Sequence, residues 1–358
     1  LDALRGFDMM FIMGLSGIIV SICSLFPDGD TSWLAMQMSH VKWEGFHHHD
    51  TIFALFLFIS GMTFPFSSAK KLEKGLSKGD ITREVLKRAC ILFFLGLVYQ
   101  GFFHFHFATL RVMSVLGRIG IAWALAAIIY CYTGRKTQYS IAAGILVGYF
   151  LLLKFTIAPD APAGADSMSK MGNISYYIDR IILGNHAYKP YGDPEGLVST
   201  IPAIVTALLG MFTGRYVKES DDSGEKKTLK LLGAAVVTGV AAALWSIWFP
   251  VIKNLWTSTF VLAAASYSLA VFAIFYYIID VKGWRKGVIF FQVVGMNSIT
   301  IYLAQAFIDF QKIGDFFLSG VAELVPEVFG AVILRIGYFT AAWLMLYFMY
   351  KKNVFLKV

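Results

Sequence analysis

A histidine-rich segment directly precedes an apolar run near the start of the chain. Residues 40–61 read HVKWEGFHHHDTIFALFLFISG and carry four of the seven histidines together with the carboxylate of Asp50. Ionisable groups beside hydrocarbon are costly, so such a cluster indicates a functional site. An imidazole that titrates near neutral pH can accept the proton of a nucleophile, which makes His40 a candidate general base. The alternative interpretation is an interfacial histidine that hydrogen-bonds a loop.

The residues around His40 have competing interpretations of their own. Asp50 either orients a histidine or caps the helix that follows it. Consecutive side chains on a helix point in different directions, so at most one or two of His47, His48 and His49 can face a common site. These histidines lack a spacing of four residues, and the three cysteines lie in apolar runs without a CxxC pattern. The sequence therefore predicts neither a metal site nor a disulfide.

Polar residues also occur in two later apolar runs. Arg111 and Arg118 are seven residues apart, which predicts that they share one face of a helix about 10 Å apart along its axis. A buried guanidinium needs a carboxylate, carbonyls or a ligand phosphate as its partner. Asn297 and Ser298, in the sequence GMNSITIY, are expected near the middle of the membrane, where they either hold helices together or line a passage.

Composition shows what kind of protein must position these groups. The chain is 57% hydrophobic, only 15% charged, and has a mean hydropathy of +0.65. These values predict an all-α, polytopic membrane protein, because helices satisfy every backbone group inside a bilayer. Ten apolar runs predict ten spans, at about 7–26, 51–68, 89–107, 112–132, 138–157, 198–214, 229–250, 255–279, 288–308 and 328–350.

The basic residues predict the orientation of these spans. With the N-terminus in the cytoplasm, most of the 31 basic residues fall in cytoplasmic segments, including a tail with Lys351, Lys352 and Lys357. Both termini are therefore expected in the cytoplasm, and the first span is expected to act as its own insertion signal. The net charge of +8 then faces anionic lipid headgroups, so nucleic-acid binding is a poor explanation of it.

The opposite, extracytoplasmic face is predicted to be net acidic and to carry His40. We interpret residues 1–358 as one transmembrane domain, with a long extracytoplasmic loop at about 158–197. The density of Pro, Gly and Asp in that loop favours ordered turns or a lid over another helix. Four further residues are expected on the same surface as His40, as candidates for binding substrate: Glu195, Lys253, Asn254 and Trp256.

Seven sequence motifs, taken in order, resemble the heparan-α-glucosaminide N-acetyltransferase family of transmembrane acyltransferases and its bacterial members. They are LDALRGFD, HVKWEG with DTIFALFLFISG, LRVMSVLGRIGIAW, DPEGLVSTIPAI, KNLW, DVKG and GMNSITIY. The resemblance covers essentially the whole chain.

The resemblance implies transfer of an acetyl group from cytoplasmic acetyl-CoA to an extracytoplasmic amino sugar or glycan. It places the active histidine in a His-x-x-Trp-x-Gly element, which matches His40, Trp43 and Gly45. Together with the residues, it predicts that His40 is the base or an acetyl carrier, that Asp50 fixes its tautomer or attracts the ammonium group of the sugar, and that Trp43 contacts the acceptor. Acetyl-CoA is expected to pass Arg111, Arg118, Asn297 and Ser298. The resemblance further implies a homodimer in a bacterial inner membrane.

Two positions depart from the family pattern. Ser16 stands about where the human-type members carry an Asn, and Gln305 stands where they carry a His. The acidic outer loops also fit a densely sulfated heparan chain poorly, so the acceptor is expected to differ. A secondary transporter of a small polar solute is the alternative function, since ten spans with polar groups at mid-depth also describe carriers.

Overall fold

A computed structural model describes residues 1–356, and it is helical throughout apart from loops and two isolated β-bridges. Lys357, which belongs to the predicted cytoplasmic tail, and Val358 lie outside the described residues. The longer helices are Asp2–Cys23, His48–Glu73, Lys78–Tyr99, Val115–Tyr132, Arg135–Phe155, Ile174–Leu183, Thr200–Glu219, Gly224–Ser246, Ser258–Val281, Val288–Met296, Ser298–Phe307, Phe310–Ala322 and Glu327–Lys351.

Eight helices of the described chain are long and apolar enough to cross a membrane, and they coincide with eight of the ten predicted spans. The predicted span 288–308 is instead a pair of helices, Val288–Met296 and Ser298–Phe307, bent by 66°. Counting that pair as one span gives nine. The prediction of an all-α, polytopic membrane protein is confirmed.

The remaining predicted span, 89–107, corresponds to the helix Lys78–Tyr99. That helix starts eleven residues earlier than its apolar run, with the charged sequence KGDITREVLKR, and the capping box of Ser77 and Asp80 fixes its start. It ends at Tyr99, and two short helical turns, Phe102–His104 and Phe107–Thr109, follow. The count of ten spans and the side of each terminus stay predictions.

The chain divides into two compact units. The first unit contains Leu1–Lys42, His47–Ile52 and residues 274–356; the second contains Trp43–Phe46 and Phe53–Ala273. In the first unit the helix Asp2–Cys23 packs against the helix Val288–Met296. A Cβ added to Gly6 would lie 1.8 Å from the carbonyl oxygen of Phe291, so small residues let these backbones touch.

Close backbone contact also organises the second unit. In this unit, residues 53–73 of the helix His48–Glu73 meet the helix Thr200–Glu219 at glycines. A Cβ on Gly61 would lie 2.2 Å from the carbonyl oxygen of Ala207. A Cβ on Gly210 would lie 2.1 Å from the carbonyl oxygen of Phe58. The side chain of Phe58 has no solvent exposure. The apolar run that follows the histidine-rich segment therefore forms the buried core of this unit.

Candidate functional site

His40 and Asp50, both in the first unit, form the centre of the candidate site. Nδ1 of His40 lies 2.8 Å from Oδ1 of Asp50. The Asp50 side chain is 1% exposed, whereas that of His40 is 55% exposed. When Nδ1–H donates to the carboxylate, the basic lone pair lies on Nε2. The pair has the geometry of an imidazole whose tautomer is fixed by a buried carboxylate.

Asp50 also caps the helix that begins at His48. Its Oδ2 accepts hydrogen bonds from the backbone N–H of His47 at 3.2 Å and from that of Val41 at 3.3 Å. The bond from His47 is half of a capping box, because it joins the third helical residue to the residue before the helix. The two interpretations of Asp50 are therefore compatible, since one oxygen meets the imidazole and the other meets the backbone.

The three consecutive histidines point in different directions, as the sequence predicts. Nδ1 of His47 lies 3.0 Å from the carbonyl oxygen of Ser39, and the His48 ring packs on Phe11 with 4.3 Å between centroids. The His49 ring meets His40, edge to face, with 4.5 Å between centroids.

Ser16, at the position that departs from the family pattern, belongs to this cluster. Its Oγ lies 3.2 Å from Nδ1 of His49. We call His40, His49, Asp50 and Ser16 the His40 site. Sequence reasoning missed the contact between Ser16 and His49, because the two residues lie 33 positions apart and no pattern joins them.

Trp43 and Gly45, from the same segment, lie in the second unit. Nε1 of Trp43 donates to the carbonyl oxygen of Met168 at 3.0 Å, and the N–H of Gly45 donates to that of Val251 at 2.9 Å. Met168 belongs to the long loop, and Val251 precedes Lys253. The structure thus brings together, around Trp43, the segment that follows His40, the long loop and the segment that contains Lys253.

A lysine of the long loop covers the aromatic surface beside Trp43. Nζ of Lys170 lies 5.6 Å from the centroid of Trp43 and 5.5 Å from that of Tyr191. Trp43 also meets Tyr176 edge to face at 5.8 Å. Aromatic faces of this kind attract cations and suit the apolar faces of sugar rings.

Arg111 is fully engaged by carboxylates of the DPEG sequence. Its Nε and Nη2 donate to the two oxygens of Asp193 at 2.9 and 2.6 Å, and Nη2 also donates to Glu195. Burial lowers the pKa of the Arg111 guanidinium, but the hydrogen bond to Asp193 and the charge of Glu195 outweigh burial and raise that pKa above its usual value. Asp193, which the sequence analysis did not select, is the principal partner.

Arg118 approaches the same sequence from inside a helix. Its Nη2 donates to the carbonyl oxygen of Pro194 at 2.6 Å and to the hydroxyl of Ser199. The guanidinium is fully buried, and the ring centroid of Trp256 lies 5.0 Å from its Cζ. We call Arg111, Arg118, Asp193 and Glu195 the arginine cluster.

The predicted placement of these arginines on one helical face is wrong. The helix begins only at Val115, because Ser114 caps it by accepting from the N–H of Gly117 at 3.0 Å. Arg111 therefore lies in the preceding loop, and Arg118 lies in the first turn rather than deep in the span. The two meet because both reach the DPEG sequence.

Asp179 supports the arginine cluster from the short helix Ile174–Leu183 of the long loop. It is fully buried, and its Oδ1 accepts from the N–H of Leu197 at 2.9 Å. Burial raises the pKa of the Asp179 carboxyl to about 6. The helix itself corrects the prediction that this loop holds turns rather than another helix: its Pro- and Gly-rich parts form turns, but ISYYIDRIIL forms a helix capped by Asn173.

The other predicted substrate-binding residues lie in one short segment of the second unit. Lys253 and Asn254 are half-buried in the turn Lys253–Leu255, and Trp256 is buried. Nε1 of Trp256 donates to the hydroxyl of Thr206 at 3.1 Å. The structure thus places Trp256 against Arg118, in the interior of the unit.

Asn297 and Ser298, in the first unit, lie at the bend between two helices. Nδ2 of Asn297 donates to the carbonyl oxygen of Val354 at 3.0 Å, and its Oδ1 accepts from the N–H of Leu356 at 3.2 Å. These bonds hold the end of the described chain against the bend. That Asn297 and Ser298 hold helices together or line a passage stays a prediction. No group of three or more His, Cys, Asp or Glu residues within 1–356 could hold a metal ion.

Comparison with known proteins gives the candidate site a context. No family model matches the chain. The heparan-alpha-glucosaminide N-acetyltransferases of Homo sapiens and Mus musculus are each 25% identical to it over 378 residues, which cover 89% of this chain. The chain is a distant relative of these N-acetyltransferases. It spans about half of their length, 55% and 56% respectively. The resemblance seen in the motifs is thereby confirmed as a distant family relationship.

Proposed function

We propose that this chain is a membrane acetyltransferase, which moves an acetyl group from acetyl-CoA to the amine of an extracytoplasmic sugar or glycan. The observation that carries the proposal is the pairing of a half-exposed His40 with a buried Asp50, 2.8 Å apart. The distant relationship to N-acetyltransferases supports the same reaction class.

His40 acts in one of two ways. As a base, Nε2 takes a proton from the acceptor amine while the amine nitrogen attacks the thioester carbonyl; the C–S bond then breaks and the CoA thiolate is protonated. As an acetyl carrier, Nε2 itself attacks the thioester, releases CoA, and passes the acetyl group to the amine. In both routes Asp50 holds the ring and stabilises its charged form.

The predicted binding residues fit this proposal unequally. Trp43, with its aromatic neighbours, offers a face for the acceptor sugar, and Lys253, Asn254, Trp256 and Glu195 belong to the same unit. Arg111 already has two carboxylates as partners and Asn297 two backbone groups. Binding of acetyl-CoA by Arg111, Arg118, Asn297 and Ser298 therefore stays a prediction, as do the homodimer and the bacterial inner membrane.

The decisive experiment measures thiol release by purified protein reconstituted in lipid vesicles. With acetyl-CoA and glucosamine we expect free CoA to appear together with N-acetylglucosamine in equal amounts. The helix pair bent at Asn297 favours a carrier, because carriers use broken helices at their binding sites. Uptake of glucosamine into vesicles without thiol release would therefore overturn the proposal in favour of transport.

Incubation with acetyl-labelled CoA, without acceptor, separates the two routes. If His40 carries the acetyl group, label stays on the wild-type protein and is absent from His40→Ala. If His40 is a base, neither protein retains label while the wild type still transfers acetyl groups to glucosamine.

The orientation of the site is testable with a single cysteine at Ser39, which is exposed and adjacent to His40. The protein for this test carries Ala at Cys23, Cys90 and Cys131. We expect a membrane-impermeant maleimide to label it from the extracytoplasmic side of intact cells. Labelling only from the cytoplasmic side would overturn the predicted topology. It would not contradict the proposed role of His40 in acetyl transfer.

A further inference from the structure

Arg335 is a charged residue of the last span that the proposed mechanism does not use. It lies eight residues after the start of the helix Glu327–Lys351, which is about 12 Å along the helix axis. The residue is exposed rather than packed in the core. Arginine at such a position in an apolar span is costly and requires water, lipid headgroups or a ligand, so it marks a functional site.

The partners of Arg335 leave its charge uncompensated. Its Nη1 donates to Oε1 of Gln311 at 3.4 Å, which is a long bond to a neutral amide. Nε2 of Gln311 in turn donates to Oδ1 of Asp315 at 2.6 Å. Among residues 1–356 no carboxylate lies within salt-bridge distance of Arg335. Arg111, in contrast, binds two carboxylates directly.

The first span approaches Arg335 closely at a glycine. Gly17 faces it: a Cβ at that position would lie 3.6 Å from Cδ of Arg335. One turn earlier, a Cβ on Gly14 would lie 2.7 Å from the ring of Tyr338, so any larger side chain would collide with that ring. Gly14 has φ of 124° within the π-helical turn Phe11–Leu15, a conformation that only glycine adopts readily.

The glycine that faces Arg335 is next in the chain to a residue of the His40 site. Gly17 follows Ser16, whose hydroxyl lies 3.2 Å from His49, and the His49 ring contacts His40. Arg335 therefore faces the glycine that follows Ser16 of the His40 site, within the same unit.

We propose that the Arg335 guanidinium binds an oxyanion of the acceptor, a carboxylate, sulfate or phosphate, while His40 receives the proton of the acceptor amine. This inference rests on the proposed function. A guanidinium binds such groups through two parallel hydrogen bonds, and it gains most where no carboxylate of the protein competes. The phosphates of acetyl-CoA are the other source of this chemistry, but the pantetheine arm separates them from the thioester, which must reach His40.

The test compares matched acceptors and matched donors in kcat/KM. Glucosamine is compared with glucosamine 6-phosphate and with a glucosamine–uronate disaccharide; acetyl-CoA is compared with acetyl-pantetheine, which lacks the nucleotide phosphates. We expect Arg335→Gln to lower kcat/KM for the anionic acceptors by about tenfold or more. For glucosamine, kcat/KM should fall by less than about threefold. Arg335→Lys should retain part of the preference. Arg285→Gln, which removes an exposed arginine of the same unit, should change neither comparison.

Two outcomes would overturn the inference. Equal losses for neutral and anionic acceptors would show that Arg335 is structural. A loss confined to acetyl-CoA, with acetyl-pantetheine unaffected, would assign the oxyanion to the donor instead.

Failure of the proposed function gives a different result. If the wild-type protein transfers no acetyl group, that function fails, and binding of glucosamine 6-phosphate measured by calorimetry still tests Arg335. Binding that is at least about tenfold weaker in Arg335→Gln, but unchanged in Arg285→Gln, supports the oxyanion site. Equal binding by all three proteins overturns it.

Discussion

The His40 site and the arginine cluster both contain ionisable side chains, but their charges are satisfied differently. In the arginine cluster every charged partner is buried or nearly so, and Arg111 binds two carboxylates. Among the ionisable side chains of the His40 site the Asp50 carboxylate is buried, while more than half of the His40 imidazole surface is exposed. Buried partners on both sides indicate a structural pair, whereas one buried partner that orients an accessible base indicates chemistry.

The largest effect is expected from His40→Ala. Removing the base should lower kcat for acetyl transfer by about a thousandfold, within the range of general-base catalysis. His106→Ala, which removes an exposed histidine of the other unit, is the matched control and should retain full activity. Wild-type activity in His40→Ala would show that His40 is not the base and would contradict the contrast between the His40 site and the arginine cluster.

The next largest effect is expected from Arg111→Gln, which tests the arginine cluster. This change leaves Asp193 and Glu195 without their cation, so we expect a loss of about 3–5 kcal/mol in the free energy of unfolding, measured in detergent micelles. Arg135→Gln disrupts the exposed pair with Glu219 and should cost less than about 1 kcal/mol. An increased KM for acetyl-CoA with unchanged stability would instead show that Arg111 binds the donor.

Asp179→Asn should change how stability depends on pH. Because burial raises the pKa of Asp179 to about 6, the folded state holds that proton more tightly than the unfolded state. Wild-type stability should therefore fall, relative to Asp179→Asn, as pH rises from about 4 to about 7, by about 3 kcal/mol in all.

Asp160→Asn provides a control of opposite sign. The hydrogen bond from Arg180 lowers the pKa of the Asp160 carboxyl, so the stability it contributes is present above about pH 4 and is lost below it. Melting temperatures of the three proteins at several pH values measure both effects. Parallel curves for wild type and Asp179→Asn would contradict the inferred environment of Asp179.

Asp50→Asn should reduce kcat about a hundredfold, because the amide no longer fixes the tautomer of His40 or stabilises its charged form. The same change weakens a helix cap, so its control is Asp80→Asn. Asp80 accepts from the N–H of Ser77 at the start of another helix and touches no histidine. Equal activity losses in both variants would show that capping, not orientation, explains the effect.

The smallest effect is expected from Ser16→Ala. It removes the hydroxyl bonded to His49 and should lower kcat only about twofold to fivefold, since the change reaches His40 through an intervening ring. Ser24→Ala, which removes a hydroxyl bonded to the carbonyl oxygen of Val20, should have no effect on rate.

Local patterns in the sequence predicted the parts of the structure that depend on local forces. Hydropathy located eight spans, because a span needs only length and apolar side chains. The pairing of His40 with Asp50 was also accessible, since the two lie ten residues apart in one segment that ends at a helix.

Features that depend on distant segments were not accessible. Asp193 could not be recognised as the partner of Arg111, because a chain separation of 82 residues carries no pattern. The prediction that Arg111 and Arg118 share a helix was wrong because the cap at Ser114 starts the helix after Arg111. A helix start follows local hydrogen bonds rather than the start of an apolar run. Arg335 was missed because one charge within a long apolar window barely changes its mean hydropathy.

The double role of Asp50 ties the alignment of the base to the first turn of a buried helix. When that turn frays, the Asp50 carboxylate loses the backbone N–H groups that fix it, and the His40 ring loses its orientation. The remaining helices stay folded, because such fraying is local. Acetyl-transfer activity should then be lost on heating well below the melting temperature, and cooling should restore it.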